Sequence, residues 1–141
     1  MYVAVEGERL RTQFADAPRV SLNALSGSTD AVIEFDSSLI EPDGENWVTD
    51  VRFVHVIDFR FTDFELGLKE QMANPDDLEN RLIEITDSDI LRAFARAGSL
   101  SRTAIPVLAE KDLRHYRISF DDHGIYDVVC TGIEITERRG G

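Results

Sequence analysis

Three histidines, one cysteine and 27 carboxylates are the groups in this 141-residue chain with the clearest capacity for chemistry. His55 sits inside WVTDVRFVHVIDFRF, on the side that two-residue alternation makes apolar, together with Trp47, Thr49, Val51, Phe53, Ile57, Phe59 and Phe61. A general base needs an acidic partner on its own side. Asp58, three residues on, points to the opposite one. His55 is therefore expected to be a core histidine with its polar atoms satisfied.

His115 and Asp127 lie in two alternating segments that a short turn joins, so they can meet across a hairpin as a stabilising pair. As an acid–base pair they lack a nucleophile and an oxyanion donor in the surrounding sequence. Asp121-Asp122-His123 resembles a ligand cluster in composition only. Adjacent turn residues splay apart, and a calcium loop needs alternating oxygen ligands and a terminal Glu, so backbone-capping turn chemistry is expected and no metal site. Cys130 falls inside a strand pattern with no basic neighbour in sequence to lower its pKa, which makes it a small buried hydrophobe.

Ser99-Leu100-Ser101-Arg102 lacks the Gly-x-Ser-x-Gly setting of a strained nucleophile, and the glycines are scattered rather than gathered into a phosphate loop. No cofactor is expected. One stretch remains, Asp58-Phe59-Arg60-Phe61-Thr62-Asp63-Phe64-Glu65. It interleaves carboxylates with phenylalanines, the composition of an acidic rim around apolar anchors, or of a strand end with one solvated face.

The elements that must hold these groups are mostly strands. Tyr2 to Val5 reads as a short strand, and Ala15 to Asp30 as loop with one helical turn around Leu22 to Leu25. AVIEFD places Ala31, Ile33 and Phe35 opposite Glu34 and Asp36. Glu41 to Asn46 is a turn cluster built on Pro42 and Gly44. Trp47 to Phe61 is too long for one ordinary strand and is expected to bend, carry a bulge or split. Thr62 to Leu68 either extends the sheet or leads into a loop, and Met72 to Asn80 is a loop.

Arg81 to Thr86 is another strand. Asp87 or Ser88 caps a helix over 88–97, with Ile90, Leu91, Phe94 and Ala95 on one face and Gly98 as its stop. Leu113 to Phe120 and Ile125 to Ile135 close the chain as a hairpin around Gly124, and residues 137–141 form a frayed tail. The fold class expected is α+β and β-rich: a mostly antiparallel curved sheet or partial barrel with one or two short helices, forming one globular domain over 1–141 whose first 30 residues are the least legible.

The bulk composition bounds the function. With 43% hydrophobic and 30% charged residues the chain has the balance of a folded protein. Its net charge of −12 opposes contact with nucleic-acid phosphates and anionic membranes. Thirteen arginines stand against Lys69 and Lys111 alone, which favours bidentate pairing with the carboxylates. A single cysteine and a start without a signal-peptide pattern lead to the expectation of a cytoplasmic protein.

The leading expectation is a non-enzymatic acidic protein-binding domain, such as an inhibitor or immunity-type protein for a basic partner, with Asp58, Phe61, Asp63, Phe64 and Glu65 at its interface. Two others stand beside it. One is a small hydrolase or isomerase whose His/carboxylate site is assembled in the fold, with His55, His115 or His123 as base. The other is a structural homo-oligomer joined through strand edges.

Overall fold

The computed structural model describes residues 2–4, 12, 18–25, 28–36, 47–63, 81–86, 88–100, 113–120 and 123–139. Their order is β1 (Tyr2–Ala4), β2 (Arg19–Leu25), β3 (Ser28–Asp36), β4 (Trp47–Val54), β5 (Asp58–Asp63), β6 (Leu82–Ile85), α1 (Asp89–Leu100), β7 (Arg114–Phe120), β8 (Gly124–Cys130) and β9 (Gly132–Arg139). The strands form two antiparallel sheets, β1-β6-β7-β8-β5 and β2-β3-β4-β9. The β-rich α+β class holds, with one helix among the described residues. The strands are divided between two sheets, and neither closes into a barrel.

The core lies between the sheets and follows from alternation. Ala31, Ile33, Phe35, Val51 and Phe53 point inward from one sheet and Tyr116, Ile118, Phe120, Tyr126, Val128 and Cys130 from the other. Phe35 meets Phe120 edge-on at 5.3 Å between ring centroids, and Phe53 meets Tyr116 at 6.2 Å. β8 is buried along its whole length, on both faces. Its inner face packs on the opposing sheet, and its outer face carries Asp127 in the polar chain described below.

The long segment from Trp47 does split, and the way it splits organises the molecule. β4 pairs with β9 and β5 with β8, so one long two-stranded ribbon runs from the first sheet into the second. Val54 is opposite Gly132 and Asp58 opposite Val129, which leaves residues 55–57 facing only 130–131. This extra residue is a bulge, the device that bends a strand pair sharply. The bend also switches parity on one strand. Val128 and Cys130 face the core on one side of it, and Ile133 packs against the same core on the other.

His55 sits at the bend with φ of 53°, and it is only partly buried. It is therefore not a core histidine on the apolar face, because alternation ends one residue before it. The expected single strand Ile125 to Ile135 is likewise broken at Thr131, whose backbone N–H donates to the Val54 carbonyl at 2.9 Å and whose hydroxyl donates to the same oxygen at 3.0 Å.

Three further expectations are corrected. Leu22 to Leu25 belongs to β2, paired residue by residue with β3, because a hairpin partner outweighs weak local helix preference. The tail is not frayed from residue 137: β9 continues to Arg139, which pairs with Trp47 and lays its guanidinium 5.4 Å from the indole ring centre. The helix runs past Gly98 to Leu100, so Gly98 lies within it and does not end it. The turn at Glu41 to Asn46, the loop Met72 to Asn80, and residues 64–68, 101–112 and 121–122 lie outside the described residues.

Candidate functional site

The outer face of the five-stranded sheet holds a buried polar chain. Ser88 immediately precedes α1, and its Oγ accepts the Leu91 N–H at 3.3 Å while its carbonyl accepts the Arg92 N–H at 3.1 Å, so it is the N-cap. The same Oγ lies 2.7 Å from His115 Nδ1. His115 Nε2 lies 2.7 Å from Asp127 Oδ1, and that oxygen also accepts Arg117 Nε–H at 2.9 Å.

The expected His115–Asp127 meeting is thus present, but diagonally. The residue directly opposite Asp127 is Arg117, and His115 faces Val129. The missing partner was Ser88, which sequence marks as a cap and which only the placement of α1 over β7 brings to the histidine.

The proton inventory fixes how the chain runs. A carboxylate only accepts, so with a neutral ring the proton sits on Nε2 and Nδ1 accepts from the Ser88 hydroxyl. Leu91 N–H, Ser88 O–H and His115 Nε2–H then all donate in one direction, ending on Asp127. Burial raises the Asp127 pKa, but the His115 hydrogen bond and the Arg117 charge outweigh it and hold the carboxyl below its ordinary value. Ser88, His115 and Asp127 are 5%, 3% and 7% exposed. A cavity of about 300 Å³ lies beside this chain, lined by Arg60, Asp89, Ile90, Ala93 and Phe94. Arg60 is the register partner of Asp127 and Asp89 the chain neighbour of Ser88, so cavity and chain share the same side of the sheet.

A second cluster occupies the inner side of β5. Phe61 is 46% exposed, yet its ring is fixed against Tyr126 at 4.9 Å and His123 at 5.0 Å. His123 Nε2 lies 2.7 Å from the Tyr126 hydroxyl. Burial lowers the His123 pKa, with the Asp63 charge opposing. Gly124 makes this close approach of β5 possible. Its φ is 155°, and a Cβ there would stand 2.7 Å from the Phe61 ring and overlap the Thr62 carbonyl oxygen.

The five residues singled out from sequence are therefore placed unevenly. Phe61 and Asp63 share one face of β5. Asp58 is on the other, its Oδ2 accepting from Arg60 Nε at 2.5 Å. Phe64 and Glu65 lie outside the described residues. Cys130 is buried, with its thiol pushed up to about 12 by burial.

Among the described residues no group of three His, Cys, Asp or Glu side chains is spaced to hold a metal. No described helix is long and apolar enough to cross a membrane. No family model, curated protein or solved structure matches the chain.

Proposed function

We propose that this chain is an acidic protein-binding domain that works by docking to a basic partner, in the manner of an inhibitor or immunity protein, and not by turnover. The observation that carries the reading is Phe61: a half-exposed aromatic ring, held rigid by Tyr126 and His123, on a strand that pairs on one side only among the described residues. An ordered, exposed aromatic loses little freedom on binding and supplies the anchor that interfaces concentrate energy in. Asp63 is exposed on the same face two residues along, and Asp58 borders the other side of the strand. The net charge of −12 adds a long-range field that speeds encounter with a cationic protein and rejects anionic ones.

Immobilised protein exposed to a lysate of its native cells at low salt is expected to retain a basic protein that elutes as ionic strength rises. Retention of no basic protein at low salt contradicts the proposal.

The Ser88–His115–Asp127 chain favours a second reading, a small hydrolase. Ser88 would attack an acyl carbon, its proton passing to His115 Nδ1 while Asp127 holds the ring through Nε2. The bond to the leaving alcohol or amine would break as Nδ1 returns that proton to it, and water would then hydrolyse the acyl-serine ester. Against it stand the near-complete burial of all three groups and the engagement of Ser88 Oγ as a helix cap. A fluorophosphonate adduct on Ser88, abolished by His115→Ala, would carry this reading. Absence of an adduct removes it.

A further inference from the structure

We infer that β2 is a self-association edge through which two copies of this chain join their four-stranded sheets into one. Among the described residues β2 ends its sheet, and residues Arg19 to Ala24 are exposed on both faces. Val20 and Leu22 are opposite Ile33 and Ala31, which are fully buried, yet they themselves are 40% and 61% exposed. The strand thus overhangs the sandwich, with an apolar stripe continuing the core face beyond the part that the second sheet covers. An exposed edge of this kind presents unpaired backbone groups for another strand, and proteins that avoid pairing place charges or proline there.

Charge selects the occupant. The sequence of β2, RVSLNAL, has no Asp, Glu, Lys or Pro, and its one charge, Arg19, is bound to Glu34 at 2.5 Å. The other long edges among the described residues are charged: β5 carries Asp58, Arg60 and Asp63, a net negative strand, and β9 carries Glu134, Glu137, Arg138 and Arg139, with both signs along it. A basic partner gains nothing at β2. A second copy, repelled elsewhere by the shared net charge of −12, meets at this edge only Glu34, which Arg19 already pairs. Antiparallel pairing about Leu22 sets Val20 of one copy against Ala24 of the other and brings the two Leu22 side chains together on the axis. This surface is separate from the Phe61 patch.

The two surfaces respond oppositely to salt. Screening removes the repulsion between two anionic copies, so dimerisation strengthens from low to moderate ionic strength, whereas docking to a basic protein weakens. Sedimentation equilibrium of the full chain is expected to give a mass approaching twice 15.9 kDa as concentration and salt rise. Leu22→Asp places two carboxylates on the axis, and Val20→Lys places like charges near it. Each is expected to weaken dimerisation at least about tenfold, with an unchanged circular dichroism spectrum. A monomer at every concentration and salt, or a dimer indifferent to both substitutions, overturns the inference.

Discussion

Asp30 Oδ1 accepts the backbone N–H of His55 at 3.0 Å, across the bend where the long ribbon leaves one sheet for the other. Its second oxygen binds Arg52, and the neighbouring Thr29 carbonyl accepts the Val56 N–H at 2.7 Å. A buried carboxylate thereby satisfies the amide that the bulge removes from the ladder and steadies a residue at positive φ. Asp30→Ala strands that amide and is expected to cost about 1–3 kcal/mol in urea unfolding. His55→Val, β-branched at φ of 53°, is expected to cost about 1–2 kcal/mol, and His55→Gly to cost nothing measurable. Equal losses for both would mean that the imidazole, not the backbone geometry, matters at this position.

The carboxylates that hold the molecule together also set its acid limit. Asp30 is held below its ordinary pKa by the His55 amide and then by Arg52. Glu34 is lowered by Arg138 and Arg19, and Asp127 by His115 and Arg117 against the opposing effect of burial. For a lowered folded-state pKa, the stabilising contribution is complete above the unfolded value, near 4 for these acids, and is lost as pH falls through the folded value. Unfolding free energy is therefore expected to be flat with respect to these groups from neutrality down to about pH 5 and to fall steeply below about pH 4. Asp127→Asn should flatten that fall while lowering stability at neutral pH. A variant with the wild-type slope would show that Asp127 does not contribute.

The Ser88–His115 contact joins the helix cap to the sheet, and the coupling should be measurable. Ser88→Ala removes both the cap and the histidine's partner, at an expected cost of about 1–2 kcal/mol. His115→Ala empties a buried polar site at a cost of about 3 kcal/mol. In a double-mutant cycle the pair is expected to couple by about 1 kcal/mol. Amide exchange at Leu91 and Arg92 should quicken in both single variants. Additive losses would mean that the two side chains do not act together.

Gly124 links the terminal hairpin to the docking face. Gly124→Ala sets a methyl against the Phe61 ring and the Thr62 carbonyl, so β5 must move away. A stability loss of about 1–3 kcal/mol is expected, with loss of the ring-current shifts that Tyr126 and His123 impose on Phe61. Unchanged shifts would place Phe61 independently of this contact.

What was legible in the sequence is what alternation dictates. Ala31, Ile33 and Phe35, and Tyr116, Ile118 and Phe120, face the core as their spacing requires. Alternation cannot locate its own interruption. The length of Trp47 to Phe61 calls for a bend, bulge or split, but Val54 to Ile57 carry no Gly or Pro to mark where, so the position of the bulge and the two-sheet division it creates were hidden, and His55 was assigned to the wrong environment. β2 was missed because RVSLNAL has too little apolar contrast for a strand exposed on both faces. The polar chain was half visible. His115 and Asp127 lie on adjacent strands and could be counted toward each other from the turn, whereas Ser88 joins them only through the docking of a helix 27 residues away in sequence.

The docking proposal is tested most directly by comparing retention of a basic partner from native lysate at low salt by wild-type, Phe61→Ala and Asp63→Asn protein on otherwise identical resins. The wild type is expected to retain a cationic protein that salt releases. Phe61→Ala should lose about 2 kcal/mol of binding, roughly thirtyfold, and Asp63→Asn less, mainly by slowing association. Retention that is equal for wild type and Phe61→Ala, with both proteins folded, would contradict the assignment of this face.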